Sequence, residues 1–347
     1  MDITGFKKIL IIKPSSLGDV IHALPVAASL KSGTPDARID WVVGSPFMDI
    51  LKGNPDIERL IPFDRGLLKG GHAVGNLKAF LGELRRERYE IVIDLQGLLR
   101  SALMAAACRA DRRVGFANAR EGAPFFYTDK VPVHDANIHA VDRYLLTLRR
   151  LGLDITGKPL FRIATGPEDE TQADAVMRSA GIAEGEPFVA FAPSARWETK
   201  RWPAGNFLEL ASRLRQEKGL KALFIGSAGD RELFEGLDVS DLEDSFAFGR
   251  TTLKGLAALL GRAKVLITND SGPMHVAAAV GTPCAAFFGP TDPKRTGPYG
   301  DGHRIISAGT GCAPCFRRDC KNNKCLTSIT VEMAYAEINN ILSVVPE

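Results

Sequence analysis

The sequence predicts an α/β fold of two doubly wound domains whose parallel sheets face each other across a cleft. Two observations lead there. Short β-rich runs alternate with longer stretches of helical apolar spacing, the pattern of parallel strands covered by helices on both faces. The alternation then pauses at Gly157-Lys-Pro159 and Thr165-Gly-Pro-Glu168, which carry linker punctuation, and starts again. A length of 347 residues, at about 150 per domain, also gives about two domains. The boundary is placed near 165, giving domains over 1–165 and 166–329 and a final helical piece over 330–347.

In chain order, Lys8-Ile-Leu-Ile-Ile12 is a buried-strand run that stops at the loop Pro14-Ser-Ser-Leu-Gly18, and Val20 to Leu30 then carries helical spacing. Ile39 to Val43 and Glu90 to Asp94 are further strands with a helix over Leu77 to Arg88 between them, and Arg113 to Phe116 reads as a last short strand. After the linker, strands are expected at 188–191, 222–225, 265–268 and 284–288, separated by helices near 204–218, 230–237, 252–262 and 272–280. Thr330-Val-Glu-Met looks like the capped start of a helix to Val344. Loops at the carboxyl ends of the two sheets would line the cleft, a layout suited to two substrates, one per domain.

Composition narrows the function. With 45% hydrophobic and 24% charged residues the chain is neither disordered, collagen-like nor a coiled coil. Its 44 basic and 41 acidic side chains leave a net charge of +3, far from that of a protein that coats nucleic acid. An anionic ligand therefore needs a local cluster. No run reaches the roughly 18 apolar residues of a membrane span, since His275, Thr282 and Pro283 interrupt Met274 to Gly289. At the N-terminus, Asp2, Lys7 and Lys8 precede an apolar stretch too short for a secretory leader, so the expectation is a cytoplasmic protein.

Three loops can carry chemistry. Thr268-Asn-Asp270-Ser271-Gly272-Pro-Met-His275 leaves a strand and enters an Ala-rich helix, so free backbone N–H groups and the positive helix end make an anion site there. Asp270 or Ser271 could equally serve only as a helix cap. Lys200 lies in Arg196-Trp-Glu-Thr-Lys200-Arg-Trp202, another strand-end loop, where its charge would face the same crevice unless the segment is simply solvated. Phe224-Ile-Gly226-Ser-Ala-Gly229-Asp230 resembles a dinucleotide-type turn, whose acidic residue can accept bonds from ribose hydroxyls. There is no Walker pattern, so a nucleotide here would be bound as a sugar donor and not hydrolysed by a P-loop. In the first domain, Asp19 of Lys13-Pro-Ser15-Ser16-Leu-Gly-Asp19 occupies a strand-to-helix turn and can take a proton from an attacking hydroxyl. Ser16-x-x-Asp19 also fits a reciprocal helix cap, and the residues alone leave both readings open.

Taken together, Lys13-Pro-Ser-Ser-Leu-Gly-Asp19-Val-Ile-His22, Asp94-Leu-Gln96-Gly97-Leu-Leu-Arg100-Ser101, Gly115-Phe-Ala-Asn-Ala-Arg120-Glu121, Lys200-Arg-Trp-Pro203, Asp270-Ser-Gly-Pro-Met-His275 and Phe288-Gly-Pro-Thr291-Asp resemble the ADP-heptose:lipopolysaccharide heptosyltransferases, glycosyltransferase family 9, over nearly the whole chain. The resemblance implies the GT-B architecture, with the final helix packed back on the N-terminal domain. It implies inverting transfer of heptose from ADP-heptose to a Kdo-bearing lipid A core, with no further cofactor and with peripheral contact at the inner face of the inner membrane. Asp19 matches the family's proposed general base. Lys200, Asp270, Ser271, Gly272 and His275 match positions that hold the donor diphosphate and sugar, with Ser194 and Thr251 near donor contacts. Asp230 stands where an acidic ribose contact is often Glu. Lys13, Ser15, Ser16, Gln96 and Arg120 would meet the anionic acceptor. The opening motif and the Asn-Ala-Arg-Glu segment look more like the enzymes that add the first heptose than those that add the second.

Cys312-x2-Cys315-x4-Cys320-x4-Cys325 has enough thiolates for tetrahedral zinc, but only one pair has the tight spacing usual for such sites, and a reduced, loop-packed cluster fits as well. Cys108 and Cys284 lie in apolar runs and read as core residues. Two other classes remain to be separated from a transferase. A nucleotide-sugar epimerase needs acid and base around one sugar and no acceptor wall, against which Lys13 and Arg120 argue. A non-catalytic ADP-sugar-binding protein would tolerate loss of Asp19.

Overall fold

In a computed structural model, which describes residues 5–64, 66 and 72–344, the chain divides after Ala164 into two units, each built on its own parallel sheet. Asp2 and the last three residues of the expected final piece lie outside the described residues.

The N-terminal unit runs β1 (Lys8–Ile12), α1 (Leu17–His22), α2 (Leu24–Gly33), β2 (Arg38–Val43), β3 (Arg59–Pro62), α3 (Ala73–Arg86), β4 (Ile91–Asp94), α4 (Leu99–Ala107), β5 (Arg112–Phe116), β6 (Asp129–Val131) and α5 (Ala140–Leu151). Its six strands pair in the order β3-β2-β1-β4-β5-β6. Central β1 is the most apolar run and is fully buried from Ile9 to Ile12. The order reverses between β1 and β4, which pair in register Ile12↔Asp94, so the loops after these two strands flank the switch point where such sheets bind ligands.

The C-terminal unit runs α6 (Pro167–Ser179), β7 (Phe188–Ala192), α7 (Ala204–Lys218), β8 (Lys221–Phe224), α8 (Leu253–Leu260), β9 (Val265–Asn269), α9 (Gly272–Ala279), β10 (Cys284–Phe287), α10 (Pro293–Thr296), β11 (Arg304–Ile306), α11 (Lys324–Thr327) and α12 (Val331–Val344). Its sheet order is β11-β10-β9-β7-β8, with the reversal between β7 and β9, paired Ala192↔Thr268. Aromatic rings fill one face. Phe191 stacks on Phe224 at 4.9 Å between centroids and Trp202 on Phe287 at 4.2 Å.

The structure corrects several expectations. The single helix expected over Val20 to Leu30 is two, broken at Ala23 ahead of Pro25, whose missing N–H suits a helix start. The helix near 230–237 is a tighter 3-10 turn over Ala228–Phe234. Arg113 to Phe116 is not the last strand of its sheet, because β6 covers that edge. The final helix, expected on the N-terminal domain, lies against the C-terminal unit. Ala334, Ile338 and Ile341 join the core around Trp202 and Phe287, and the Tyr335 hydroxyl donates to Glu217 Oε2 at 2.7 Å. This helix has an apolar face to bury, and α7, β10 and β11 offer the matching surface.

Candidate active site

In the N-terminal unit one cluster of candidate residues forms on the loops after β1 and β4. Asp19 sits in the first turn of α1. Its Oδ2 accepts from Ser16 N at 2.9 Å and Ser16 Oγ at 2.8 Å, and its Oδ1 accepts from the Tyr144 hydroxyl at 2.8 Å and lies 3.3 Å from the Lys13 ammonium. The capping geometry is therefore present, and 38% of the Asp19 side chain stays accessible. Burial pushes this carboxyl up, but the Lys13 ammonium, the two Ser16 hydrogen bonds and His22 outweigh it and hold the group well below the usual carboxylate range. Asp19 is thus ionised at any physiological pH.

Lys13 is only 3% exposed. Its ammonium donates to Leu95 O at 3.3 Å and faces Asp19, so its charge acts on that carboxylate and not on solvent. Ser15 is half-buried and Ser16 exposed. Gln96 belongs to a turn shaped by Asp94, whose Oδ1 accepts from Gln96 N at 2.9 Å and Gly97 N at 3.1 Å while Oδ2 accepts from the Tyr127 hydroxyl at 2.7 Å. Burial raises the Asp94 carboxyl against these bonds. Gly97 adopts φ +67°, and its carbonyl accepts from Arg120 N at 3.0 Å, which brings the exposed Arg120 beside the Gln96 turn. Lys13, Ser15, Ser16, Asp19, Gln96 and Arg120 thus share one edge of one sheet.

In the C-terminal unit another cluster lies on the loops after β7 and β9. Asn269 Nδ2 donates to Pro193 O at 2.6 Å and Asn269 Oδ1 accepts from Trp202 N at 3.0 Å, which ties the loop carrying Ser194 and Lys200 to the loop carrying Asp270. The Lys200 ammonium meets Asp270 Oδ2 at 2.5 Å, and the Thr291 hydroxyl donates to the same oxygen at 2.6 Å. Lys200 also stands 4.6 Å from the Trp197 ring centre. Ser271 is the N-cap of α9, Gly272 opens that helix with Pro273 behind it, and His275 is buried in the same turn. Free N–H groups and the helix dipole face the loop here.

One strand further out, Gly249 N donates to Gly226 O at 2.8 Å, which joins the segment leading to Thr251 to the turn that carries Asp230. Asp230 Oδ2 accepts from Ser227 N at 2.7 Å and caps the following turn. A Cβ at Gly226 would stand 2.5 Å from that oxygen, so the glycine allows the close approach. Cys312, Cys315, Cys320 and Cys325 are free thiols, and among the described residues no group of three or more His, Cys, Asp or Glu could hold a metal ion. Their segment is tied to the loops after β7 and β10, since Arg317 O accepts from the Thr199 hydroxyl at 2.9 Å and Phe316 N donates to Pro290 O at 2.7 Å. Cys108 and Cys284 are buried core residues, as their apolar runs led one to expect.

Sequence reasoning gave no role to Tyr144, Asp94, Tyr127, Asn269 or Thr291. Thr291 stood in a quoted motif, and Asp94 likewise. Tyr144 had no signal, because 125 residues separate it from Asp19.

Residues 77–326 match the family described as glycosyltransferase family 9 (heptosyltransferase). The chain belongs to glycosyltransferase family 9. This family 9 enzyme is 34% identical over 322 residues to lipopolysaccharide heptosyltransferase 1 of Pseudomonas aeruginosa, covering 90% of this chain and 87% of that protein. Among solved structures, the family 9 glycosyltransferase from Veillonella parvula superposes with a TM-score of 0.83 at 27% identity over 97% of each chain. The E. coli heptosyltransferase WaaC with ADP does so at 0.74 and 26% identity, over 96% of this chain and 99% of that one. The two Rossmann-like units are those of a GT-B glycosyltransferase.

Proposed function

We propose that this glycosyltransferase moves L-glycero-D-manno-heptose from ADP-heptose to Kdo of the lipopolysaccharide inner core with inversion, and that it adds the first heptose. One observation supports this most: an accessible carboxylate kept ionised at the ligand edge of one sheet, with a cation and a helix N-terminus at the ligand edge of the other. The first suits an incoming hydroxyl and the second a departing diphosphate.

In the donor half, the N–H groups opening α9, the Lys200 ammonium and His275 hold the diphosphate, Ser194 and Thr251 line the donor, and Asp230 accepts from ribose. In the acceptor half, Arg120 meets the Kdo carboxylate or lipid A phosphates beside Gln96, Ser15 and Ser16, while Lys13 acts through Asp19. The acceptor oxygen attacks the anomeric carbon as the carbon–phosphate oxygen bond breaks, and the bonding pair leaves with ADP. Asp19 takes the hydroxyl proton. A carboxylate of depressed pKa is a weak base towards a resting hydroxyl, so the proton moves late, once the forming bond has made that oxygen acidic. No cofactor enters these steps. Because the acceptor is lipid-linked, the chain meets it at the inner face of the membrane, and no helix among the described residues is long and apolar enough to cross one.

Incubation with ADP-heptose and Kdo-lipid A should add one heptose mass to the acceptor. Transfer only to an acceptor that already bears heptose would assign the second addition instead. Turnover of the donor sugar with no acceptor product would overturn the transferase reading.

A further inference from the structure

An ionised carboxylate offers about four lone-pair sites, and among the described residues four groups reach Asp19. Ser16 N and Ser16 Oγ lie on Oδ2 at 2.9 and 2.8 Å, and the Tyr144 hydroxyl and Lys13 ammonium on Oδ1 at 2.8 and 3.3 Å. An acceptor hydroxyl can bind only if one of them yields. The two on Oδ1 are anchored. Lys13 is buried and also holds Leu95 O, and Tyr144 is buried on α5 with the Lys13 ammonium 5.0 Å from its ring centre. On Oδ2, the Ser16 amide is fixed by the backbone entering α1, whereas the Ser16 hydroxyl is a neutral rotor on an exposed residue.

We propose that Tyr144 is a positioning residue for the transfer, which with Lys13 saturates Oδ1 of Asp19 and leaves Oδ2 as the oxygen that opens to the acceptor when the Ser16 hydroxyl turns away. The assignment rests on Asp19 being the base. In the step, the acceptor hydroxyl replaces Ser16 Oγ as donor to Oδ2, its oxygen bonds to the anomeric carbon, ADP departs with the electron pair of the broken bond, and the proton ends on Oδ2. Tyr144 touches no reacting atom. It fixes the plane of the carboxylate from a second helix, which a cap internal to α1 cannot do.

The charged and titratable groups facing this carboxylate are Lys13 from the β1 loop, His22 from α1 with His139 packed on it at 5.1 Å between ring centroids, and Tyr144 from α5, on whose hydroxyl Arg143 also acts. Burial and the Asp19 charge raise the Tyr144 hydroxyl well above its ordinary range, so it remains a donor throughout the working pH.

The decisive variant is Tyr144→Phe in the full chain, which removes one hydroxyl and keeps the ring. The Asp19 carboxyl is followed by carbon NMR with labelled aspartate, its signal identified by its loss in Asp19→Asn. At neutral pH, where this carboxylate stays ionised, loss of the hydrogen bond should move its carbon signal away from the wild-type position. There kcat should fall at least about tenfold as the carboxylate loses its fixed plane, and ADP affinity should stay within about twofold. An unchanged signal would overturn the proposal, as would a moved signal with wild-type turnover. Wild-type turnover in Asp19→Asn would overturn the base reading and this assignment with it, by a measurement independent of the Tyr144→Phe spectrum.

Discussion

At Asp19 one carboxylate both caps α1 and faces solvent, and a single substitution separates the two roles. Asp19→Asn keeps an oxygen for Ser16 N but takes the partner from the buried Lys13 ammonium, so its stability cost should be about 2–3 kcal/mol, the size of a broken charge-assisted contact. Turnover should fall at least about 100-fold. Chemical unfolding and a transfer assay on one preparation check this, and turnover within a few-fold of wild type would reduce Asp19 to a cap. The stability term has a predictable sign with pH. The folded carboxyl titrates below its unfolded value of about 3.9, so its contribution is full above that pH and is lost as pH falls through the folded value. The stability gap between wild type and Asp19→Asn should therefore shrink on acidification below about pH 4 and stay flat from pH 5 to 8. Lys200 poses the complementary case, because Asp270 already pairs with it. Lys200→Ala removes a phosphate partner and also leaves a buried carboxylate facing the anion, so ADP affinity should fall about 10- to 100-fold. Adding Asp270→Asn should restore part of that loss. Calorimetry over the double-mutant cycle measures the coupling, and strictly additive losses would show that the pair does not act as one unit.

Among the elements, the turn after β4 matters most, because it joins two strand-end loops. Gly97 stands at φ +67°, and a Cβ there would lie 3.2 Å from the Ala119 Cβ, next to the residue whose amide the Gly97 carbonyl holds. Gly97→Ala should cost about 1–2 kcal/mol of stability. Its larger effect should be a several-fold rise in the acceptor KM through displacement of Arg120, with ADP binding unchanged. Steady-state kinetics with each substrate varied separate these effects, and an equal defect for donor and acceptor would contradict this account of the turn.

For the whole molecule, the division into Met1–Ala164 and Thr165–Glu347 predicts that ADP protects one unit. At a hundredfold excess over its Kd, ADP should stabilise the unit that binds it by about 2.7 kcal/mol. Amide exchange should slow around 194–201 and 268–275 and leave the β1 loop at its original rate. Protection confined to the N-terminal unit would reverse the assignment of donor and acceptor.

The strands at the centre of each sheet were legible in the sequence, because a strand buried on both faces must be apolar along most of its length, as Ile9 to Ile12 and Val265 to Ile267 are. The sheet-edge strands β3, β6 and β11 were not. They span three or four residues and are partly exposed, so their pairing comes from neighbours and leaves no periodic mark. The loops that end central strands put Asp19, Lys200 and Asp270 in view for a related reason, since a strand followed by a Gly- and Ser-rich turn and a helix fixes where a side chain emerges. Sequence alone also carried the family, through motifs spread along the chain. Only the tertiary structure decided that Lys13 turns to Asp19, that Asp94 builds a turn, that α12 covers its own unit, and that Tyr144 reaches across 125 residues to close the carboxylate's last oxygen. These are contacts between distant segments, set by which surfaces remain to be buried once the sheets have formed, and no local spacing encodes them.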